Sequence, residues 1–229
     1  MSTHRKSAKV DRAWLQQHVS DPYVQRAQRD GYRSRAAYKL EEIDRTLGLV
    51  RPGQCVVDLG STPGAWSQYL RRKLMSGSNK GGGAAIYALD LLPMEPIADV
   101  CFIEGDIREA ATLEQLDQAL AGRSVDLVVS DMAPNLSGIA SADAARVQDL
   151  VEMALDFAGS HLQPRGALLA KVFHGGAYDE LVRRFRTTFA EVKVCKPKAS
   201  RDKSTEVYLC GRGLRLPTAE MRQSSTQQA

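Results

Sequence analysis

Short apolar segments alternate with amphipathic segments along the chain, and this pattern predicts a mixed α/β protein. Short apolar runs are typical of buried strands, whereas apolar residues three or four positions apart are typical of helices. The predicted strands are 55–59, 85–89, 100–103, 125–130, 167–172, 192–194 and 207–210. The predicted helices are one or two between 21 and 47, interrupted near Gly31, and then 65–75, 113–120, 144–162 and 177–189.

The order of these segments predicts the fold class. Strands that alternate with helices form a mostly parallel, doubly wound sheet with helices on both faces. The last two strands have no helix between them, which favours a terminal antiparallel hairpin. We therefore expect one α/β domain over residues 21–213 with a seven-stranded, mostly parallel sheet. Residues 1–20 are expected to form a flexible basic arm and residues 214–229 a disordered tail.

Polar residues that could carry chemistry follow the predicted strands. In an open parallel sheet, ligands bind beyond the carboxyl ends of the strands. The stretch 55–66 predicts a strand, a turn with two glycines and a helix start, which together bring backbone N–H groups towards a polar ligand. A single aspartate is more often a helix cap or turn residue, but three strand ends carry one. These are Asp90, Asp106 and Asp131.

The turn after the first strand differs from a dinucleotide-binding turn. Three glycines in the order G-x-G-x-x-G would admit a pyrophosphate, whereas this turn has Pro63 between Gly60 and Gly64. Acidic groups around the pocket also disfavour a pyrophosphate and favour S-adenosylmethionine, which carries a sulfonium and an ammonium group. A nicotinamide oxidoreductase stays as a weaker alternative.

The predicted placement of this cofactor follows from the order of the strands. Asp58 and the 60–64 turn are expected to face its amino-acid part. Asp90 is expected to bind the ribose, because a carboxylate after the second strand suits two hydroxyls. Asp106 would then face the adenine amino group.

Lys171 lies near the end of an otherwise apolar predicted strand. A buried ammonium group is expensive to desolvate, so a lysine there must be paired or lose its charge. Asp131 and Glu206, at neighbouring strand ends, are the available partners. The alternative is a lysine whose side chain extends past the sheet into solvent.

Charge is distributed unevenly along the chain, although the net charge is only +4. Residues 1–51 carry a net +5, residues 52–182 a net −8 and residues 183–215 a net +7. If the two basic ends fold onto one face, they form a patch that attracts phosphates. Two separate solvated faces are the alternative.

Metal sites and membrane segments are not indicated. The histidines and cysteines lack the spacing of metal ligands, so no metal is expected. No apolar run approaches the ~20 residues of a membrane helix, and the first residues lack the apolar core of a secretory signal. We expect a cytoplasmic protein without membrane contact.

Several motifs together resemble the FtsJ-type ribosomal RNA 2′-O-methyltransferases. They cover about residues 21–211 in order, which a lone glycine turn could not do. The motifs are YRSRAAYKL (32–40), VDLG (57–60), PGAWSQ (63–68), DLLPM (90–94), SDMAPN (130–135), SG (137–138), KVF (171–173) and STEVY (204–208). The resemblance implies the Rossmann-like fold of S-adenosylmethionine-dependent methyltransferases.

The resemblance also implies the site residues. It implies a catalytic tetrad of Lys39, Asp131, Lys171 and Glu206. It implies cofactor contacts at Gly64, Trp66, Asp90, Asp106 and Asp131, to which the sequence of the turn adds Asp58, Gly60 and Pro63. Lys171, kept neutral by Lys39 and partial burial, would accept the proton of the ribose hydroxyl, while Asp131 would orient Lys171 and Glu206 would hold the hydroxyl or the lysine pair.

The substrate implied by the resemblance is RNA. Family members similar to this chain methylate a uridine ribose of large-subunit (23S) rRNA in the peptidyl-transferase A-loop, so the assembling or assembled 50S subunit is the expected partner. A monomer is expected. Six basic residues are expected to bind RNA phosphates: Arg33, Arg35, Lys196, Lys198, Arg201 and Lys203. Two alternatives stay open, a non-catalytic RNA-binding ribosome-assembly factor and a methyltransferase for another RNA such as tRNA.

Overall fold

The described chain forms one sheet with helices packed on it. A computed structural model describes residues 20–75, 85–134, 138, 140–201 and 204–215. The strands in this part are β1 (Cys55–Leu59), β2 (Ala85–Asp90), β3 (Val100–Glu104), β4 (Val125–Ser130), β5 (Leu162–Phe173), β6 (Phe189–Cys195) and β7 (Glu206–Leu214). The helices are α1 (Pro22–Arg29), α2 (Ala36–Leu47), α3 (Ala65–Met75), α4 (Ala110–Leu120), α5 (Ala140–His161) and α6 (Tyr178–Thr188).

The sheet has the order β3-β2-β1-β4-β5-β7-β6. Strands β1 to β5 are parallel to one another, and β7 is antiparallel to both β5 and β6. The predicted seven-stranded, mostly parallel sheet with a terminal antiparallel hairpin is therefore confirmed. Because β7 runs the opposite way, its amino end lies at the edge where β1, β2, β4 and β5 have their carboxyl ends.

Apolar side chains cover both faces of the sheet. One buried cluster packs α2 and α3 against it through residues such as Leu40, Ile43 and Leu70. The other packs α4, α5 and α6 through residues such as Leu116 and Phe185. Each such side chain stabilises the fold by about 1.5–3 kcal/mol when it is fully buried. The two layers fix α2 beside the carboxyl edge of the sheet.

The predicted break near Gly31 is confirmed, because α1 ends at Arg29 and α2 begins at Ala36. Gly31 has a φ of +70°, which glycine adopts without strain. The Tyr38 hydroxyl donates a 2.9 Å hydrogen bond to Asp30, and this bond joins the segment after α1 to α2.

Several predicted boundaries differ from the structure, and two of them affect β5 and β7. Helix α5 ends at His161, and β5 begins at Leu162 rather than after Pro164. The β4–β5 register shifts just beyond the Val125–Leu162 pair, so exposed Pro164 lies at an irregularity where no ladder N–H is needed. At the carboxyl end of the predicted domain, β7 extends to Leu214, and the Arg215 N–H donates a hydrogen bond to the Thr188 carbonyl at 2.8 Å.

Leu214 and Arg215 therefore belong to the folded domain rather than to the predicted tail. The rest of that tail and residues 1–19 of the predicted arm lie outside the described residues. The same holds for the glycine-rich loop at 76–83.

Candidate active site

The side chains of Lys39, Asp131, Lys171 and Glu206 come together at the carboxyl edge of the sheet. They come from α2, the end of β4, β5 and the first residue of β7. The Lys171 Nζ lies 3.1 Å from Asp131 Oδ1 and donates to the Asp131 backbone carbonyl at 2.5 Å. The Lys39 Nζ lies 2.8 Å from the Glu206 carboxylate. The predicted tetrad residues thus form two adjacent ion pairs.

Lys171 is a buried lysine with a partner. Its side chain is only 7% exposed, so the alternative in which it extends into solvent is wrong. Asp131 supplies the compensating charge, as one of the two predicted partners, while Glu206 pairs with Lys39 instead. An unpaired charge at this depth would be strongly destabilising.

Two further side chains donate hydrogen bonds to the carboxylates of these pairs, and neither was predicted as a site residue from the sequence. The Tyr208 hydroxyl donates to Asp131 Oδ1 at 2.8 Å, and the Ser200 hydroxyl donates to Glu206 Oε1 at 2.8 Å. Tyr208 is fully buried and lies opposite Lys171 in the β5–β7 register. The spacing of two between Glu206 and Tyr208 could have indicated a shared strand face. Ser200 lies in a loop, where no periodicity indicates a contact.

The protonation states of Asp131 and Tyr208 follow from this packing. Burial alone would raise the pKa of Asp131, but the ammonium groups of Lys171 and Lys39 and the Tyr208 hydrogen bond lower it below its usual value. Burial, followed by the carboxylates of Asp131 and Glu206, raises the pKa of Tyr208 well above its usual value. At neutral pH Tyr208 is therefore a hydrogen-bond donor and Asp131 an ionised acceptor.

A cleft of about 260 Å³ lies beside the tetrad along the same edge. Four of the predicted cofactor residues line it, namely Gly60, Asp90, Asp106 and Asp131. The cleft therefore lies over the ends of β1, β2, β3 and β4, where an open α/β sheet binds its ligand.

Two carboxylates in the cleft already have partners in the protein. Asp90 accepts hydrogen bonds from the Thr62 and Leu92 N–H groups, both at 2.8 Å, and so orders the mouth of the cleft. Asp106 accepts the Arg108 Nε–H at 2.9 Å. Hydrogen bonding from Arg108 lowers the pKa of Asp106. Arg108 lines the cleft and was not predicted, because an exposed arginine after a strand has no distinctive pattern.

Asp58 lies beneath the cleft and does not line it. It is completely buried, and its Oδ2 accepts a 2.6 Å hydrogen bond from the Ser67 hydroxyl at the start of α3. In the described part of the chain, the buried side-chain polar atoms without a hydrogen-bond partner are Asp58 Oδ1 and Ser61 Oγ. Burial raises the pKa of Asp58 to about 7. Two orphaned oxygens under the glycine turn suit a cationic ligand group with N–H donors.

Gly60 lets the ends of β1 and β4 approach each other. It has a φ of +74°, and a Cβ there would lie 2.6 Å from the side chain of Met132. Any other residue would therefore be strained and would push Met132 out of the cleft wall. Gly60 thus shapes the cleft. The sequence predicts that the turn brings the backbone close to a ligand, whereas the group close to Gly60 is Met132 of the protein itself.

Three predicted cofactor residues, Pro63, Gly64 and Trp66, contact the protein and do not line the cleft. The Pro63 carbonyl accepts a 2.9 Å hydrogen bond from Arg33, and a Cβ on Gly64 would lie 2.8 Å from the same guanidinium. Trp66 is 2% exposed, and its indole N–H donates to the Ala36 carbonyl at 2.8 Å. These contacts join the turn and α3 to Arg33 and to the start of α2, and the predicted cofactor contacts of the three residues stay predictions.

The comparison with protein families decides the class of this site. A model of the FtsJ-like methyltransferases matches residues 32–214, which include the whole tetrad and the cleft. The chain belongs to the FtsJ-like methyltransferase family. The family and the enzyme class predicted from the motifs are confirmed.

Relatives in the FtsJ-like family are similar over almost their whole length. The chain is 62% identical over 222 residues to the ribosomal RNA large subunit methyltransferase E of Albidiferax ferrireducens, covering 94% of this chain and 99% of that protein. The protein of the same name from Variovorax paradoxus is 64% identical over 217 residues, covering 94% and 98%.

Solved structures share the fold. A ribosomal RNA methyltransferase of Plasmodium falciparum superposes with a TM-score of 0.70 at 26% identity, covering 80% of this chain and 98% of that one. Human methyltransferase-like protein 13, solved in complex with SAH, has a TM-score of 0.51 at 14% identity and covers 81% of this chain and 89% of that one. The second likeness concerns the fold alone.

Two described basic segments of this FtsJ-like chain, α1 to α2 and the loop that begins at 196, lie together beside the tetrad. The Arg35 guanidinium contacts the Asp21 carboxylate and the Ala199 carbonyl, and the Ala199 N–H donates to Glu42 at 3.2 Å. The loop that begins at 196 therefore packs on α1 and α2, and its Ser200 reaches the tetrad. The described part of the first basic segment and the 196–201 loop of the second therefore share a face, while residues 1–19 lie outside the described residues.

The predicted RNA contacts differ in how exposed they are. Arg33 donates to the carbonyls of Pro63, Glu95 and Pro96, Arg35 is in an ion pair, and Lys196 donates to the Ser204 carbonyl at 2.6 Å. These three side chains therefore have structural contacts. Lys198 and Arg201 are exposed, and Lys203 lies outside the described residues. RNA binding by all six residues stays a prediction.

The Lys198→Ala variant is expected to weaken RNA binding without changing stability, because Lys198 is exposed. Loss of one phosphate contact lowers the slope of log K against log salt by about 0.7 for single-stranded RNA. The Arg35→Ala variant is the matched contrast, because it removes one partner of a nearly buried ion pair and should lower the free energy of unfolding by about 3 kcal/mol. Salt-dependent RNA titration and thermal unfolding separate the two roles. Equal loss of stability in both variants would contradict this assignment.

Metal and membrane sites were searched in the described ranges only. No group of three or more histidine, cysteine, aspartate or glutamate side chains there could hold a metal ion. No helix there combines the length and apolar character needed to cross a membrane.

Proposed function

We propose that this protein transfers a methyl group from S-adenosylmethionine to the 2′-hydroxyl of a uridine ribose in large-subunit (23S) rRNA. The proposed site is the peptidyl-transferase A-loop of the assembling or assembled 50S subunit, reached by a cytoplasmic monomer. The observation that carries the proposal is the cluster of Lys39, Asp131, Lys171 and Glu206 beside an acid-lined cleft. The names of the relatives support large-subunit rRNA as the substrate.

The residues of the cleft fit S-adenosylmethionine. Asp90 would accept the ribose hydroxyls, Asp106 would accept the adenine amino group beside Arg108, and the orphaned Asp58 Oδ1 and Ser61 Oγ suit the ammonium end. When bound, this cofactor supplies a methyl group activated by the positive sulfonium. The carboxylates that line the cleft stabilise this cationic ligand, whereas they would repel the pyrophosphate of a dinucleotide.

The tetrad activates the ribose hydroxyl in our proposal. A 2′-hydroxyl is a poor nucleophile until its proton is removed or strongly polarised. Lys171, the ammonium partner of Asp131 in the free protein, would first release a proton to solvent and then, as a neutral amine, accept the proton of the hydroxyl. Asp131, held by the Tyr208 hydroxyl, fixes the position of the Lys171 Nζ and compensates the ammonium group that forms again. Lys39 and Glu206 would hold the hydroxyl in line with the methyl group, and positioning of this kind supplies much of the rate. The need for a 2′-hydroxyl selects RNA over DNA.

Purified protein with methyl-labelled S-adenosylmethionine is expected to label the large-subunit rRNA of cells that lack it. Because the tetrad is suited to one hydroxyl, the label should map to the 2′-oxygen of a single uridine. Mapping of ribose methylation in rRNA with and without the protein checks this result. Label in tRNA with none in large-subunit rRNA would overturn the substrate, and RNA binding without any transfer would favour the assembly-factor alternative.

A further inference from the structure

A second pocket opens at the same edge of the sheet, just beyond the end of β5. Its volume is about 310 Å³, and it lies on the side of the tetrad formed by α5 and α6. Apolar side chains form its floor, among them Val147, Phe173 and Leu181. No residue of the tetrad or of the S-adenosylmethionine cleft lines it.

The pocket adjoins the tetrad through the β5–β7 ladder. Phe173 pairs with Glu206 in the strand register and lies two residues beyond Lys171, which is about 6.6 Å along the strand. The His174 N–H donates to the Thr205 carbonyl at 2.9 Å, so the pocket wall is anchored to the residue next to Glu206. The distance from a group in this pocket to the proposed reacting hydroxyl is therefore no more than the length of one nucleotide.

Aromatic rings form the open side of the pocket. The rings of His174 and Tyr178 lie 4.3 Å apart between centroids, with 42° between their planes. His174 is exposed, and Tyr178 and Phe173 are half-buried. Gly175 and Gly176 line the same side, and a Cβ on either would meet no atom within 4 Å. The two glycines thus leave open space on the side of the pocket that His174 lines.

The charge at the pocket selects the kind of group. Asp143 lines it, accepts the Gly138 N–H at 2.9 Å and lies 3.6 Å from Arg146. A carboxylate repels a phosphate but accepts hydrogen bonds from the N–H donors of a base edge. Flat aromatic surface, an apolar floor and a carboxylate together fit a nucleobase taken out of a stack.

We propose that this pocket, lined by Val147, Phe173, His174 and Leu181 and flanked by Tyr178 against the His174 ring, receives the base of the nucleotide whose ribose lies at the tetrad. The inference rests on the proposed RNA methylation and adds to it the site that selects the nucleotide. The base stacks on the His174–Tyr178 pair and donates to Asp143. The ribose then presents its 2′-hydroxyl to Lys171.

The test uses an RNA fragment that carries the mapped target nucleotide and the same RNA with an abasic ribose at that position. The His174→Ala variant is expected to raise KM for the normal RNA about tenfold with kcat unchanged, since stacking on one aromatic residue accounts for a factor of this order. Wild-type protein should show the same rise in KM on the abasic RNA. The variant should show no further rise, because the lost contact is the same.

Two other variants make the result specific. Tyr178→Phe keeps the ring and should leave KM within twofold of wild type, as a rough bound. His161→Ala removes another stacked histidine, 4.1 Å from the Phe157 ring and outside the pocket, and should change neither constant. Thermal unfolding of each variant checks that it is folded.

An unchanged KM in His174→Ala would overturn the inference. A further tenfold rise in KM when His174→Ala acts on the abasic RNA would also overturn it. The base and His174 would then act independently, and the pocket would hold another group, such as a neighbouring base or a protein. A wild-type protein that methylates neither RNA would instead overturn the proposed function, and the base pocket with it.

Discussion

Replacing Lys171 by alanine is expected to lower the rate of methyl transfer about 10²–10⁴-fold, the usual contribution of a positioned general base. The variant loses the one amine that is anchored on Asp131 at the end of the cleft. The single-turnover rate, measured with saturating RNA and cofactor, isolates the chemical step from binding. RNA affinity should stay close to that of wild type, because Lys171 is buried and not part of the exposed basic surface.

The control for this variant is Lys193→Ala. Lys193 is exposed on β6 and pairs with Glu191 at 2.9 Å, far along the edge strand from the tetrad, and its loss should leave the rate unchanged. Lys171→Ala also leaves Asp131 buried without its ammonium partner, which can destabilise by about 3–5 kcal/mol, so unfolding must be measured alongside. A folded Lys171→Ala protein that transfers methyl groups at the wild-type rate would refute the role given to this lysine.

The parts of the site that could be predicted are those that lie on regular strands. Asp90, Asp131 and Lys171 were placed correctly at one edge because each follows or ends an apolar run of a parallel sheet. The family motifs added Lys39, which comes from α2 and not from a strand. No sequence periodicity relates α2 to β7, so the Lys39–Glu206 pair could be inferred only from the resemblance.

Contacts that the sequence did not predict occur where a polar or aromatic side chain has a partner within the protein that is distant in sequence. Arg33 holds the 95–96 segment, and Trp66 donates to Ala36, yet both residue types are also typical of ligand contacts. Asp58 was expected to face the cofactor, and the structure adds a second role for it, because its Oδ2 accepts a hydrogen bond from Ser67 while its Oδ1 has no partner. Charge and residue type indicate which groups can bind a ligand, whereas only tertiary packing decides which of them are left exposed.

Asp58 should make the free protein less stable as pH rises, which is the reverse of the usual effect of an aspartate. Burial raises its pKa to about 7 in the folded state, from the 3.8 that is usual for an aspartate. Between these two values the folded protein binds a proton that the unfolded chain has lost, so the free energy of unfolding falls with pH. The total decrease in the free energy of unfolding, complete above pH ~7, is of the order of 4 kcal/mol, at about 1.4 kcal/mol per pH unit.

The Asp58→Asn variant is therefore expected to be more stable than wild type at pH 8 by up to about 4 kcal/mol, with the difference vanishing near pH 4. An asparagine has no charge to desolvate, and its amide oxygen can still accept from Ser67. Denaturant unfolding from pH 4 to pH 8 without cofactor measures the difference. The Asp99→Asn variant, at an exposed ion pair with Arg71, should change stability by less than about 1 kcal/mol.

The same substitution should weaken S-adenosylmethionine binding, because the orphaned Asp58 Oδ1 is the anionic atom proposed to compensate the ammonium group. Wild-type protein would then gain more stability from saturating cofactor at pH 8 than the variant does, as ligand linkage requires. Opposite effects on stability and on cofactor affinity would show that Asp58 is kept ionised for binding at the expense of the free fold. If Asp58→Asn were less stable at pH 8 and bound the cofactor as wild type does, the aspartate would be a structural cap of α3 and nothing more.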